Sequence, residues 1–127
     1  MLCMARWLRC ALALISAAGL HACGTPIDEA AAARGRVAAE ACLTCHSFDT
    51  QHKVGPHLHG VIGRTAGTVS GYEFSDAMRN SQIVWNEATL QQYLQAPLQT
   101  VPGTKMAMAP LTDQQVRDVV EFIKSQQ

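Results

Sequence analysis

The five residues CLTCH, Cys42 to His46, put two thiols and an imidazole within reach of one another. Three chemistries use such a grouping: a dithiol redox pair, half of a zinc site, and covalent attachment of a c-type haem. A structural zinc site takes four ligands, normally completed by a second Cys/His pair of similar spacing. No second pair of cysteines follows, and His52, His57 and His59 lie six or more residues beyond the motif. A thioredoxin-like dithiol follows a strand in a βαβ setting, whereas the residues before Cys42 are rich in alanine and patterned as a helix. Haem attachment fits better for a geometric reason. Cysteines three apart at a helix end face one side, so both thiols can add to the two vinyl groups of one porphyrin, with His46 held against the iron.

Such an iron has a second face, and a histidine, a methionine or nothing there leads to three different functions. The stretch PGTKMAM, residues 102–108, offers a methionine. Pro and Gly fix a turn that can present a thioether without helical packing, and Met106 stands 60 residues after His46, far enough to come round the opposite face. Methionine is also a common filler of core gaps. It is the company of CxxCH that makes Met106 the leading ligand.

The elements that must position these groups read as helices. Asp28 stands where an N-cap would precede EAAAARGRVAAEAC, predicting a helix over about 29–42, weakened in the middle by Gly35. A short helical segment is expected around 75–80. Asn86 is a good N-cap for ATLQQYL, with Leu90, Tyr93 and Leu94 on one face and Pro97 as a stop. Thr112 and Gln115 are spaced as a capping box before a stripe of Val116, Val119, Val120 and Ile123. Between them, residues 47–71 scatter Gly, Pro, His and Thr with no sustained period. A connection beyond about 15 residues is rare in a compact domain unless it serves a function or wraps something. The fold class is all-α, four to five helices with long loops, and something other than side chains fills the centre.

The chain of 127 residues suits one domain. Residues 1–9 carry Arg6 and Arg9 with no acid, and 10–20 are almost all apolar, which is the pattern of a secretory signal. At about 11 residues the run falls short of the roughly 20 needed to span a bilayer. The expected organisation is a signal peptide over 1–22, a short tether over 23–28 and a single domain over 29–127. LHAC, residues 20–23, resembles a bacterial lipobox, although His21 departs from the usual small residue. Acylation of Cys23 would account for a thiol otherwise unpaired in an oxidising compartment; ordinary cleavage after Ala22 would leave it free or bridged to another chain. Cleavage before Cys23 removes two of ten basic residues and none of the ten acids, leaving a formal charge of −2. With no basic stripe, nucleic acid is not an expected partner.

From about 41 to 124 the chain closely resembles the class I cytochromes c, mitochondrial and bacterial. CLTCH, HKVGPHLHGVIGRTAG, GYEFSDA, IVW, ATLQQYL and VPGTKM occur in the family's order, with one short deletion after CxxCH. The resemblance implies the cytochrome c fold around one covalently bound haem c. Cys42 and Cys45 would be the thioether cysteines, His46 the proximal ligand and Met106 the distal one. Pro56 would accept from the ligand histidine's other ring N–H, Arg64 and Trp85 would hold a haem propionate, Tyr93 would lie near the methionine sulfur, and Thr104 and Lys105 would precede the ligand. His52 matches a histidine that pins one loop to another. Departures are Phe74 in place of a tyrosine, Met78 in place of a polar residue, Met108 in place of an aromatic at the exposed haem edge, and Ala38 where an aromatic packs on the last helix.

With His and Met on both faces the iron has no vacant site, so the implied reaction is one-electron transfer through the haem edge. The expected protein is a monomeric carrier exported to the bacterial periplasm, between a quinol-oxidising complex or dehydrogenase and a terminal oxidase or reductase. A lipid on Cys23 would attach it to the membrane. Two other functions fit the same residues: a haem enzyme or gas sensor with a labile methionine, and a haem subunit of an oxidase or dehydrogenase complex.

Overall fold

The computed structural model describes residues 26–127; the expected signal peptide, the start of the tether and Cys23 lie outside them. The described chain has five α-helices: α1 (Glu29–Ala38), α2 (Asp76–Asn80), α3 (Glu87–Gln95), α4 (Pro97–Thr100) and α5 (Asp113–Ser125). A 3-10 helix over Ala39–Thr44 continues α1 into the CxxCH motif, so the helix expected over 29–42 tightens before it reaches the cysteines. The only β pairing among the described residues is the isolated bridge of Thr65 with Val84. No described helix is long and apolar enough to cross a membrane.

Local chemistry sets the helix starts. Asp28 accepts the Ala31 N–H at 3.0 Å, and Ser75 accepts that of Met78 at 3.2 Å. Asn86 with Thr89, and Thr112 with Gln115, close reciprocal capping boxes. Pro97 ends α3 as expected and also begins α4, where a missing N–H costs nothing at the first helical position.

The core forms where α1 crosses α5. Val116, Val119 and Val120 are completely buried there, each side chain contributing about 2 kcal/mol by leaving water. The alanines of α1 and Gly35 let the two backbones meet: a Cβ at Gly35 would lie 1.8 Å from the Asp118 carbonyl oxygen. The glycine that weakens the helix in sequence is what allows the crossing. Ala39 is buried in the core and Ala38 packs partly against it, while the aromatic partner of α5 comes from the following loop. Phe48 meets Phe122 edge to face at 5.2 Å.

Beside the crossing, Arg34 donates Nε to Asp118 Oδ2 at 2.9 Å and Nη2 to Oδ1 at 2.8 Å, and Gln114 adds a third bond at 2.9 Å. The Arg34 hydrogen bonds hold Asp118 below the usual carboxyl value of 3.8. A depressed carboxyl contributes stability that is full above the unfolded value and is lost as pH falls through the folded one. Stability should therefore drop as pH goes below about 3.8, and Asp118→Asn should remove that part of the acid dependence. Urea unfolding at neutral and acidic pH measures both, and an undiminished acid loss in the variant would contradict the assignment.

The 47–71 region is irregular yet tied down. Ala66 N–H bonds the Ile83 carbonyl at 2.7 Å, Trp85 N–H that of Arg64 at 2.9 Å, and Gly63 N–H that of Trp85 at 2.7 Å. His52 Nε2 pairs with the Ser70 carbonyl at 2.9 Å while its Nδ1 accepts the His57 N–H at 3.1 Å, so this histidine does join two loops. Gly67, at φ +74°, sits where a Cβ would come within 2.7 Å of the Arg79 Cα.

Candidate haem site

The motif emerges from the 3-10 helix with Cys45 and His46 N–H groups both bonded to the Cys42 carbonyl, at 3.1 and 2.8 Å. The loop then returns to clamp it. Gly55 N–H reaches the Cys45 carbonyl at 2.8 Å, and Lys53 Nζ caps the Leu43 carbonyl at 2.7 Å. Cys42 and Cys45 are half-buried and not bonded to one another, and burial pushes the Cys42 thiol above its usual 9.0. A dithiol nucleophile needs the opposite shift. Among the described residues no three His, Cys, Asp or Glu side chains are arranged to hold a metal by themselves.

His46 Nδ1 lies 2.6 Å from the Pro56 carbonyl. A carbonyl can only accept, so Nδ1 carries the proton and Nε2 is left with its lone pair for a metal. Gly55 supplies the flat surface behind the ring: a Cβ there would stand 2.4 Å from Cε1 and 2.8 Å from Nδ1. Sequence reading named Pro56 and overlooked Gly55. The available signal was a glycine immediately before the proline expected to orient the ligand.

On the methionine side, the Tyr93 hydroxyl and Thr104 Oγ1 are 2.6 Å apart, and Thr104 Oγ1 also accepts the Met106 N–H at 3.3 Å. A buried tyrosine on α3 thus holds the turn just ahead of the methionine; burial raises its pKa above 10.0, so it stays a neutral phenol. Trp85 is buried against Tyr93, ring centroids 5.2 Å apart. Arg64 spends Nη1 and Nη2 on the His59 and His57 carbonyls, each at 3.0 Å. Three of its five N–H donors remain for an anion. His57 is stacked on His52, its Nδ1 buried without a partner, and burial together with the nearby Arg64 charge pushes its pKa below 6.5.

These residues fit a c-type haem: two thiols and a pre-oriented imidazole in one motif, and a half-buried thioether on a turn held by Tyr93 and Thr104. Leu58, Phe74, Ile83, Met106, Met108 and Leu111 are half-buried against the core. They supply the apolar lining a porphyrin needs.

The cytochrome c family model matches residues 32–127. Cytochrome c 2.1 of Caenorhabditis elegans is 47% identical over 91 residues, 70% of this chain and 82% of that protein. Cytochrome c2 of Blastochloris viridis is 43% identical over 96 residues, 73% of this chain and 76% of that one. The solved structure of cytochrome cH from Methylobacterium extorquens superposes with a TM-score of 0.70 at 41% identity, covering 74% of this chain and 97% of its own. With the motif, the helical frame and these likenesses together, the chain belongs to the cytochrome c family, as an electron-transfer protein, not an enzyme, that carries one covalently bound c-type haem.

Proposed function

We propose that the chain is a one-electron carrier whose haem is attached through Cys42 and Cys45 and whose iron is held by His46 and Met106. The observation that carries this reading is the His46 Nδ1 contact with the Pro56 carbonyl, which leaves Nε2 as the only nitrogen of that ring able to bind a metal. The Tyr93, Thr104 and Met106 chain supports the second ligand. Arg64 and Trp85, joined through their backbones, are the residues to meet a propionate. The haem supplies the redox centre. The protein fixes both ligands before and after the electron moves, which keeps reorganisation small.

The deciding experiment is the near-infrared spectrum of the oxidised protein at neutral pH. The weak charge-transfer band of methionine sulfur on low-spin ferric haem is the expected result, and a high-spin spectrum without it would reject Met106. Tyr93→Phe deletes one hydrogen bond to Thr104, worth about 1 kcal/mol. Added imidazole should then compete with the methionine about fivefold more effectively in a spectroscopic titration; an unchanged constant would show that Tyr93 does not support the loop.

The carrier is exported, works as a monomer between a quinol-oxidising complex and a terminal oxidase or reductase, and is held at the membrane by a lipid on Cys23. Its lysines support confinement over electrostatic steering. There are three: Lys53 is bonded to the Leu43 carbonyl, Lys124 is largely buried between Glu87 and Glu121, and Lys105, beside the methionine turn, donates to the Glu73 carbonyl at 3.4 Å. A partner reached this way should transfer electrons at a rate that salt changes little. Strong slowing by salt, or a mature N-terminus without acyl mass, would overturn the confinement argument.

A further inference from the structure

The methionine loop presents two thioethers to the same side of the chain. From 105 to 109 the chain is neither helix nor strand and exposure alternates: Lys105, Ala107 and Ala109 are exposed, while Met106 and Met108 are half-buried and packed against the core. The alternation puts both methionines on the covered side, and two residues of chain span at most about 7 Å. Met108 therefore faces the same interior as the proposed ligand.

What holds the two methionines differs. The Met106 N–H is bonded to Thr104 Oγ1, which Tyr93 holds in turn. Residues 107–111 donate no backbone hydrogen bond found in the described structure before Thr112 joins the α5 capping box. Side-chain packing of Met108 and Leu111 is what locates this stretch. A two-residue slip would then break the Thr104 bond and leave the frame of α3 and α5 in place. Methionine has three rotatable bonds and can cover part of the remaining distance.

We propose that Met108 is a standby axial ligand: when the Met106 thioether is removed, residues 105–110 slip and the Met108 thioether takes its place on the iron. The Met108 thioether would supply the lone pair that residue 106 no longer offers, with no electron gained or lost. This rests on the reading of Met106 as the resident ligand, and the test separates the two.

Four proteins are compared as purified ferric holoproteins: wild type, Met106→Leu, Met108→Leu, and the double variant. The proposal expects the methionine charge-transfer band in the first three and its loss in the double variant, with added imidazole binding the double variant at least tenfold more tightly than Met106→Leu. Loss of the band in Met106→Leu, with wild type and Met108→Leu retaining it, overturns the standby role and leaves the function intact. Absence from wild type overturns the resident-ligand reading itself. Absence from Met108→Leu with retention in Met106→Leu overturns the assignment of Met106. Should Met106→Leu fail to fold, Met106→Gln is scored the same way. Failure of both counts against the proposal, because a standby ligand would have rescued them.

Discussion

Gly35→Ala is expected to destabilise the protein by about 3 kcal/mol, the upper range for an overpacked core. The sign is informative, because helix propensity alone favours alanine over glycine by about 1 kcal/mol. Gly35 is buried on α1 with the Asp118 carbonyl oxygen 1.8 Å, its carbon 2.4 Å and the Val119 nitrogen 2.9 Å from where a Cβ would be. All three are backbone atoms of α5, so no side chain can rotate away. The helices must separate, and separation strains the bidentate Arg34 to Asp118 pair and loosens Val116, Val119 and Val120. Urea unfolding of the holoprotein measures the loss. A stabilised variant would show that propensity outweighs the crossing, and the account of α1 against α5 would fail. Ala33→Gly, on the exposed side of α1, is the comparison, with a cost of about 1 kcal/mol from propensity alone.

Gly55→Ala should have the second largest effect, and a different readout. Its Cβ would press on the His46 ring at 2.4 Å from Cε1. The imidazole must tilt or retreat, which lengthens its 2.6 Å contact with the Pro56 carbonyl. That hydrogen bond makes the ring a stronger electron donor, which favours ferric iron. Weakening it should move the reduction potential upward, and the low-spin spectrum should be lost at lower guanidinium concentration, by about 2 kcal/mol of stability. Gly60→Asn is the control: Gly60 has φ +63° with nothing near its missing Cβ, and asparagine tolerates that conformation. A potential that moves equally in both variants, or in neither, would remove Gly55 from the site.

The site was legible in sequence to the extent that its chemistry is carried by neighbours in the chain. CLTCH is complete within five residues, and the proline turn before Met106 is equally local. The same holds for the frame. Asp28, Asn86 with Thr89, and Thr112 with Gln115 bond to groups three residues away, so their spacing is enough to predict them. Elements without a local signature were missed or misjudged. The four-residue α4 hides behind Pro97, read as a stop, and the 3-10 turn into the motif looks like more of α1.

The sequence by itself determined that this protein is helical and of the c-type haem kind, and it singled out Cys42, Cys45, His46 and Met106 as the residues proposed to hold the group. Tertiary structure decided which positions leave no room for a side chain and which residues are already engaged. Gly35 faces a backbone carbonyl of α5, Gly55 faces the His46 ring, and Asp118 is bound by an arginine 84 residues earlier. Each is a close approach between distant segments. No periodicity announces it, because a glycine or an aspartate costs the same in sequence wherever it stands, and only the packed chain supplies the atom it must meet.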